Sequence, residues 1–287
     1  MPVRGLSPRR RAFGTGYHGL MDPVSSTQDI LSQRGKRVRA AWFSAWRVLL
    51  IGAQIVVLAC LPSSYHKGVQ RQAVWLHLYF ATAPLLTAFL VFSALVSVVL
   101  IRIVVATAYS YGLSQYALEV LVRTLVLELI PLHAALFVAL RYAMPGAQAV
   151  RKKLAILQRD GSTLQEQSLL RTELLPRALA TMFSVLLLAA LSCVVTLVLT
   201  YLTVYGFSPW GLPGYTRSVG GVFSPAVTLI FSLKTLFFSL AVAVVPLAAA
   251  QTDTQDQYSR YSDISQFARL FSVLLLLEVL SLVGNYY

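Results

Sequence analysis

Charge is what this chain has least of. Charged side chains make up 12% of its 287 residues, against about 25% in globular domains. Hydrophobic residues make up 57% and the mean hydropathy is +0.68, too apolar for a water-soluble domain of this size. That excludes a cytosolic enzyme, a secreted module and a disordered chain. Acidic residues are scarcest: 11 Asp and Glu stand against 24 Lys and Arg, a net charge of +13. In a soluble protein such an excess suggests nucleic acid; in a membrane protein it first raises the question of sidedness. Cysteine is nearly absent. Cys60 and Cys193 lie far apart in apolar runs with no C-x-x-C spacing, so they read as small buried hydrophobes and no metal site is expected. Catalytic signatures are missing too: there is no Walker motif, no H-E-x-x-H and no G-x-S-x-G. The chain is expected neither to hydrolyse ATP nor to hold a cofactor.

Residues 1–35 are polar, basic and rich in Gly, Pro and Ser. They read as a disordered cytoplasmic tail. Arg9, Arg10 and Arg11 have no apolar segment close behind, so they do not open a signal peptide. Their expected contact is anionic lipid rather than nucleic acid.

Long apolar runs fill the rest. Gln72–Ile101 and Ala178–Tyr205 contain no Asp, Glu, Lys or Arg; Val222–Ala250 contains only Lys234; Gln266–Tyr287 contains Arg269 and Glu278. A fifth run, Thr124–Leu140, carries Glu128 and sits at the short end of the roughly 17–25 residues that a spanning helix needs. The expected spans are about 76–101, 124–143, 178–205, 222–250 and 266–286. Val48–Leu61 is too short to span. With Trp42, Trp46, Leu49, Leu50, Ala53 and Val57 at helical spacing beside Arg37, Arg39 and Arg47, residues 36–61 read as a helix lying in the membrane interface.

Charge sidedness supports five spans. With 36–61 in the interface, 20 Lys and Arg fall on the cytoplasmic side and three, Arg102, Arg123 and Arg217, outside. Making that segment a span splits them 12 to 11. The positive-inside rule selects the first arrangement, with the N-terminus cytoplasmic and the C-terminus outside. Residues 144–177 then form a cytoplasmic loop. Pro145-Gly146 is expected to break the chain before a basic amphipathic helix, Ala147–Gln158. Ser162 is expected to cap a second helix, Thr163–Leu174. The loop reads equally as a docking surface or as a solvated connector.

The stretch Glu128-Leu129-Ile130-Pro131, then Arg141, then Pro176-Arg177 opening the next span resembles the MlaE (YrbE) permease family. Lys234 and Glu278 fall where that family has a Lys in its fourth span and an Asp in its last. The resemblance extends over about residues 37–287. The family's glycines are replaced here by Ile130, Leu140 and Ala143, and its coupling acids are replaced at Ala149 and Ile156-Leu157, with Gln158 retained. The resemblance implies a bacterial inner-membrane permease subunit that moves phospholipid. Its partners would be a separate ABC ATPase that binds the ATP, a periplasmic MCE-domain subunit and a second permease, identical or not. Arg151, Lys152, Lys153, Gln158 and Arg171 are the candidates for contact with the ATPase. The alternatives are a degenerate scaffold that does not transport, or a secondary transporter, although no internal repeat is visible.

Ionisable groups within spans are costly and normally paired or functional. At about 1.5 Å per residue, Lys234 lies roughly 16–18 Å from the outer face and Glu278 about 12 Å, so the two can meet. They read as a pair locking two helices or as a headgroup contact. Glu128 is placed about 6–8 Å from that face. His133 reads as a core histidine with a hydrogen bond, and Arg141 as a snorkelling residue at the inner end of its span.

Overall fold

The computed structural model describes Trp46, Leu50, residues 52–54, Val57 and residues 68–159, 173–252 and 260–286. The predicted tail (1–35), Cys60, Arg171 and the helix at 163–174, apart from its last two residues, fall outside these. Helix α1 (Gly68–Ser110) overruns both expected ends of the first span. Once backbone groups are committed to a helix in an apolar medium, they have no reason to leave it until a residue allows a turn. Gly112 allows it, at φ 70°. Its N–H donates to Tyr109 O (3.2 Å) and that of Leu113 to Ala108 O (2.8 Å), closing a Schellman cap.

The second span is one unbroken helical rod. It runs through α2 (Ser114–Leu121), a π-helical segment (Val122–Leu129), α3 (Ile130–Val138), a second π segment (Ala139–Ala143) and α4 (Met144–Arg159). The expected break at Pro145-Gly146 does not occur. Each π segment is followed by an α segment whose second residue is proline, Pro131 or Pro145. Proline has no N–H and crowds the carbonyl four residues back. A π turn shifts the pairing by one residue and widens the coil, so proline is accommodated at that seam without ending the helix.

Helix α5 (Leu175–Tyr205) starts with Pro176 in its first turn and ends at Gly206, φ 67°. A 3-10 turn (Pro209–Gly211) and α6 (Leu212–Val222) then occupy a stretch expected to be loop. Helix α7 (Pro225–Thr252) opens under a Ser224 cap, whose Oγ accepts from Val227 N at 3.3 Å. Helix α8 (Arg260–Tyr286) follows.

Among the described residues there is no strand, and five helical stretches are long and apolar enough to cross a membrane: Val74–Ser110, Tyr116–Leu157, Leu175–Tyr205, Pro225–Gln251 and Ile264–Gly284. The chain is an all-α, multi-pass membrane protein. Helices α1 and α5 run parallel, joined by hydroxyls: Ser184 Oγ donates to Ala81 O (2.8 Å), Ser93 meets Ser192, and Ser97 meets Thr196 at 2.9 Å. Small hydroxyl residues let spans approach closely and bond across the contact. Phe89, Val126, Leu188, Phe238 and Leu274, one from each crossing stretch, share the buried core.

One end of the bundle gathers the starts of α1 and α5, the end of α7, and α4. Ala147, Val150 and Leu154 on α4 bury against Leu175, Ala178, Val244 and Leu247. Gly52 packs there too: a Cβ on it would lie 3.1 Å from Val244. Its helical neighbours Leu50, Ala53 and Val57, from the apolar stripe assigned to the interfacial helix, are exposed.

Candidate functional site

Lys234 lies at the centre of the bundle with its side chain 3% exposed. Its ammonium pairs with the Glu278 carboxylate at 2.9 Å, as the depth estimate expected. It also pairs with Glu128, donates to Leu127 O at 3.3 Å, and lies 5.8 Å from the Phe238 ring centroid. The expected depth of Glu128, about 6–8 Å from the outer face, is corrected. The helix carrying it starts at Ser114, ten residues before the predicted span. Counted from Tyr116, Glu128 is on the order of 18 Å along the rod, level with Lys234. Its place in a π segment adds to this, since a π turn displaces a side chain from the α-helical stripe. One cation thus ties three spans together, and its two carboxylates leave the cluster with more acid than base.

A second polar cluster sits at the α4 end. Glu173, just before α5, pairs with Lys153 of α4. Its Oε2 lies 3.8 Å from Arg177 Nη2. Arg177 Nη1 donates to Gly146 O at 3.1 Å. A Cβ at Gly146 would lie 3.2 Å from the guanidinium, a tight contact that Arg177 would have to relieve by a few tenths of an ångström. Beside them the Tyr142 hydroxyl lies 3.3 Å from His77 Nδ1 and 3.4 Å from His77 O, linking the second span to the first. Tyr142, Ala143, Gly146, Arg177, Thr181, Ala243 and Leu247 line a small crevice at this point.

The remaining predicted residues are dispersed. Lys152 is exposed on α4, Arg151 is half-buried, and Arg141 is exposed on the second π segment. Gln158 belongs to α4. His133 meets the Phe92 ring edge-on, centroids 6.4 Å apart, and makes no hydrogen bond among the described residues, contrary to expectation. Glu173 and the His77–Tyr142 link were not anticipated. The available signal for Glu173 was its i,i+4 spacing to Arg177; His77–Tyr142 had none.

At the opposite end, Tyr201, Tyr205 and Tyr215 form a ring cluster with centroids 5.3–6.2 Å apart. Tyr215 donates to Leu197 O at 2.7 Å. Burial, helped by Cys193 and Tyr205, pushes its phenol up to about 12, so it remains a neutral donor. No group of three or more His, Cys, Asp and Glu suited to a metal ion occurs among the described residues.

No curated protein shows a significant match to the chain. Residues 74–262 match the permease MlaE family. That stretch contains Glu128, Lys234, α4, Glu173 and Arg177, while Glu278 lies beyond it. With both polar clusters built on this region and the match covering most of the chain, the protein belongs to the MlaE permease family.

Proposed function

We propose that the chain is the permease subunit of an ATP-driven lipid transporter in a bacterial inner membrane. A separate ABC ATPase docks on the cytoplasmic face of α4 and the segment joining it to α5. A second permease completes the lipid cavity, an MCE-domain subunit receives or delivers lipid on the periplasmic side, and phospholipid is the cargo. The N-terminus is cytoplasmic and the C-terminus periplasmic. One observation carries the reading: α4 continues the second span, seats Ala147, Val150 and Leu154 on α5 and α7, and keeps Lys152 and Lys153 outward. A force applied there acts on three spans at once.

The test is co-purification. Arg151→Glu with Lys152→Glu should release a co-expressed ABC ATPase from the same genome while leaving membrane insertion unchanged. Retention of the ATPase would move the docking face elsewhere. If the unaltered chain captures no ATPase, the transporter reading fails.

A further inference from the structure

Glu173 stands between two cations that hold it unequally. Lys153 Nζ donates to its Oε1. Its contact with Arg177 is loose: 3.8 Å between Oε2 and Nη2 exceeds the roughly 2.7–2.9 Å of a charge-assisted hydrogen bond by about 1 Å. The looseness leaves a trace. Among the described residues, Glu173 Oε2 and Arg177 Nε are both buried without a hydrogen-bond partner. Buried polar atoms are normally satisfied by protein or ordered water, so both atoms have bonding capacity to spare for a closer partner. Here the orphans belong to the two members of one loose pair.

The three residues also sit where motion would be transmitted. Lys153 is on α4, its side chain 51% exposed; Glu173 and Arg177, at 22% and 17%, flank the start of α5. Arg177 is fixed from the other side by Gly146 O, so it does not swing freely. Glu173 is the member free to change sides.

We infer that Glu173 is a two-position latch between α4 and the third span. In the arrangement seen here it grips Lys153. When α4 is displaced, Lys153 withdraws, and Glu173 closes the gap of about 1 Å to form the hydrogen-bonded pair with Arg177. Displacement of α4 thereby exchanges a pair that bridges α4 and α5 for one within the start of α5, and neither state leaves the carboxylate alone. The surrounding charged groups suit this: besides Lys153 and Arg177, the titratable side chain facing the cluster from α1 is His77, itself held at Tyr142. Glu173 is therefore a positioning residue, and the assignment rests on the proposed ATPase acting through α4.

The experiment has two arms. In the isolated permease in nanodiscs, with Cys60 and Cys193 replaced by Ser, spin labels at Gln148→Cys and Phe183→Cys report the α4–α5 distance. Glu173→Gln should broaden that distance distribution. In the complex, the same variant should retain the ATPase and continue to hydrolyse ATP, while lipid moved per ATP falls by about tenfold, the scale of one charge-assisted bond. Lys153→Gln removes only the outer half of the contact and carries the distance arm if Glu173→Gln fails to accumulate. An unchanged distance distribution overturns the latch. So does loss of the ATPase from Glu173→Gln, which would make Glu173 a docking contact, and so does an unchanged lipid-to-ATP ratio. If the unaltered chain binds no ATPase, the transporter reading falls, and the distance arm alone still decides whether α4 and α5 are latched.

Discussion

Lys234 is shared by two carboxylates, and sharing predicts an unusual pattern of mutational cost. Glu278→Gln leaves the ammonium on Glu128 and Leu127 O. Glu128→Gln leaves it on Glu278 at 2.9 Å. The Gln amide oxygen can still accept in either case, so each single change should cost no more than about 1.5 kcal/mol, the net value of an ordinary hydrogen bond. The double change Glu128→Gln with Glu278→Gln strands the ammonium in an apolar core. Removing all charged partners of a buried ion costs about 3–5 kcal/mol, well above the sum of two small effects. Lys234→Met should cost a similar 3–5 kcal/mol, because it strands two carboxylates. Combining Lys234→Met with both Gln changes should recover most of the loss, since a buried ion cluster replaced by neutral groups of similar size is often near neutral.

The assay is unfolding in one fixed detergent, followed by helicity and with purified yield recorded for all five variants and the parent. Strict additivity of the two Gln changes would refute the reasoning, because redundancy requires the second loss to cost more than the first. A Lys234→Met variant as stable as either single Gln would refute it equally.

Two further expectations concern topology and packing. A Cys at Ser218, exposed on α6, should react with an impermeant thiol reagent in intact cells while one at Ser162 resists; the reverse labelling would reject the five-span orientation. Gly211→Ala would place a Cβ 2.5 Å from Tyr205 Cδ1, so the Tyr cluster must shift at a cost of roughly 1–3 kcal/mol; an unchanged melting temperature would show that the ring yields freely.

The number and order of the spans were legible because a low-charge run in a membrane has few structural options. Every backbone polar group must be satisfied within the segment, and a helix does that. The same physics hid the ends. Predicted boundaries were set where polar residues begin, but α1 continues to Ser110 and the second rod continues to Arg159 because nothing obliges a helix to stop at a polar residue. The Lys234–Glu278 pair was readable because each residue is an isolated charge deep in its run. Glu128 was misplaced for the reason that hid the boundaries: depth was counted from Thr124 and not from the actual helix start. Glu173 escaped because its partner Lys153 is 20 residues earlier, and a contact of that separation depends on how the chain returns, which no local pattern encodes.

The two π segments connect these observations. The first carries Glu128, and the second carries Arg141 and Tyr142. Each precedes a proline, which lacks an N–H and crowds the carbonyl four residues back. Each also supplies a polar side chain to a contact across the bundle: Glu128 to Lys234, and Tyr142 to His77. π turns are rare interruptions of regular α-helical pairing and frequently fall at functional sites. A displacement of α4 by a docked ATPase would meet the second π segment first, beside Gly146 and Arg177. It would meet the Glu128 segment only after passing through α3, whose Ile130, Ala134, Ala135 and Val138 are buried in the core. The rod thus carries two π segments separated by the packed α3, the far one tied into the ionic triad and the near one beside the Gly146–Arg177 contact; under the proposed latch, the near segment is where movement of α4 would first be absorbed.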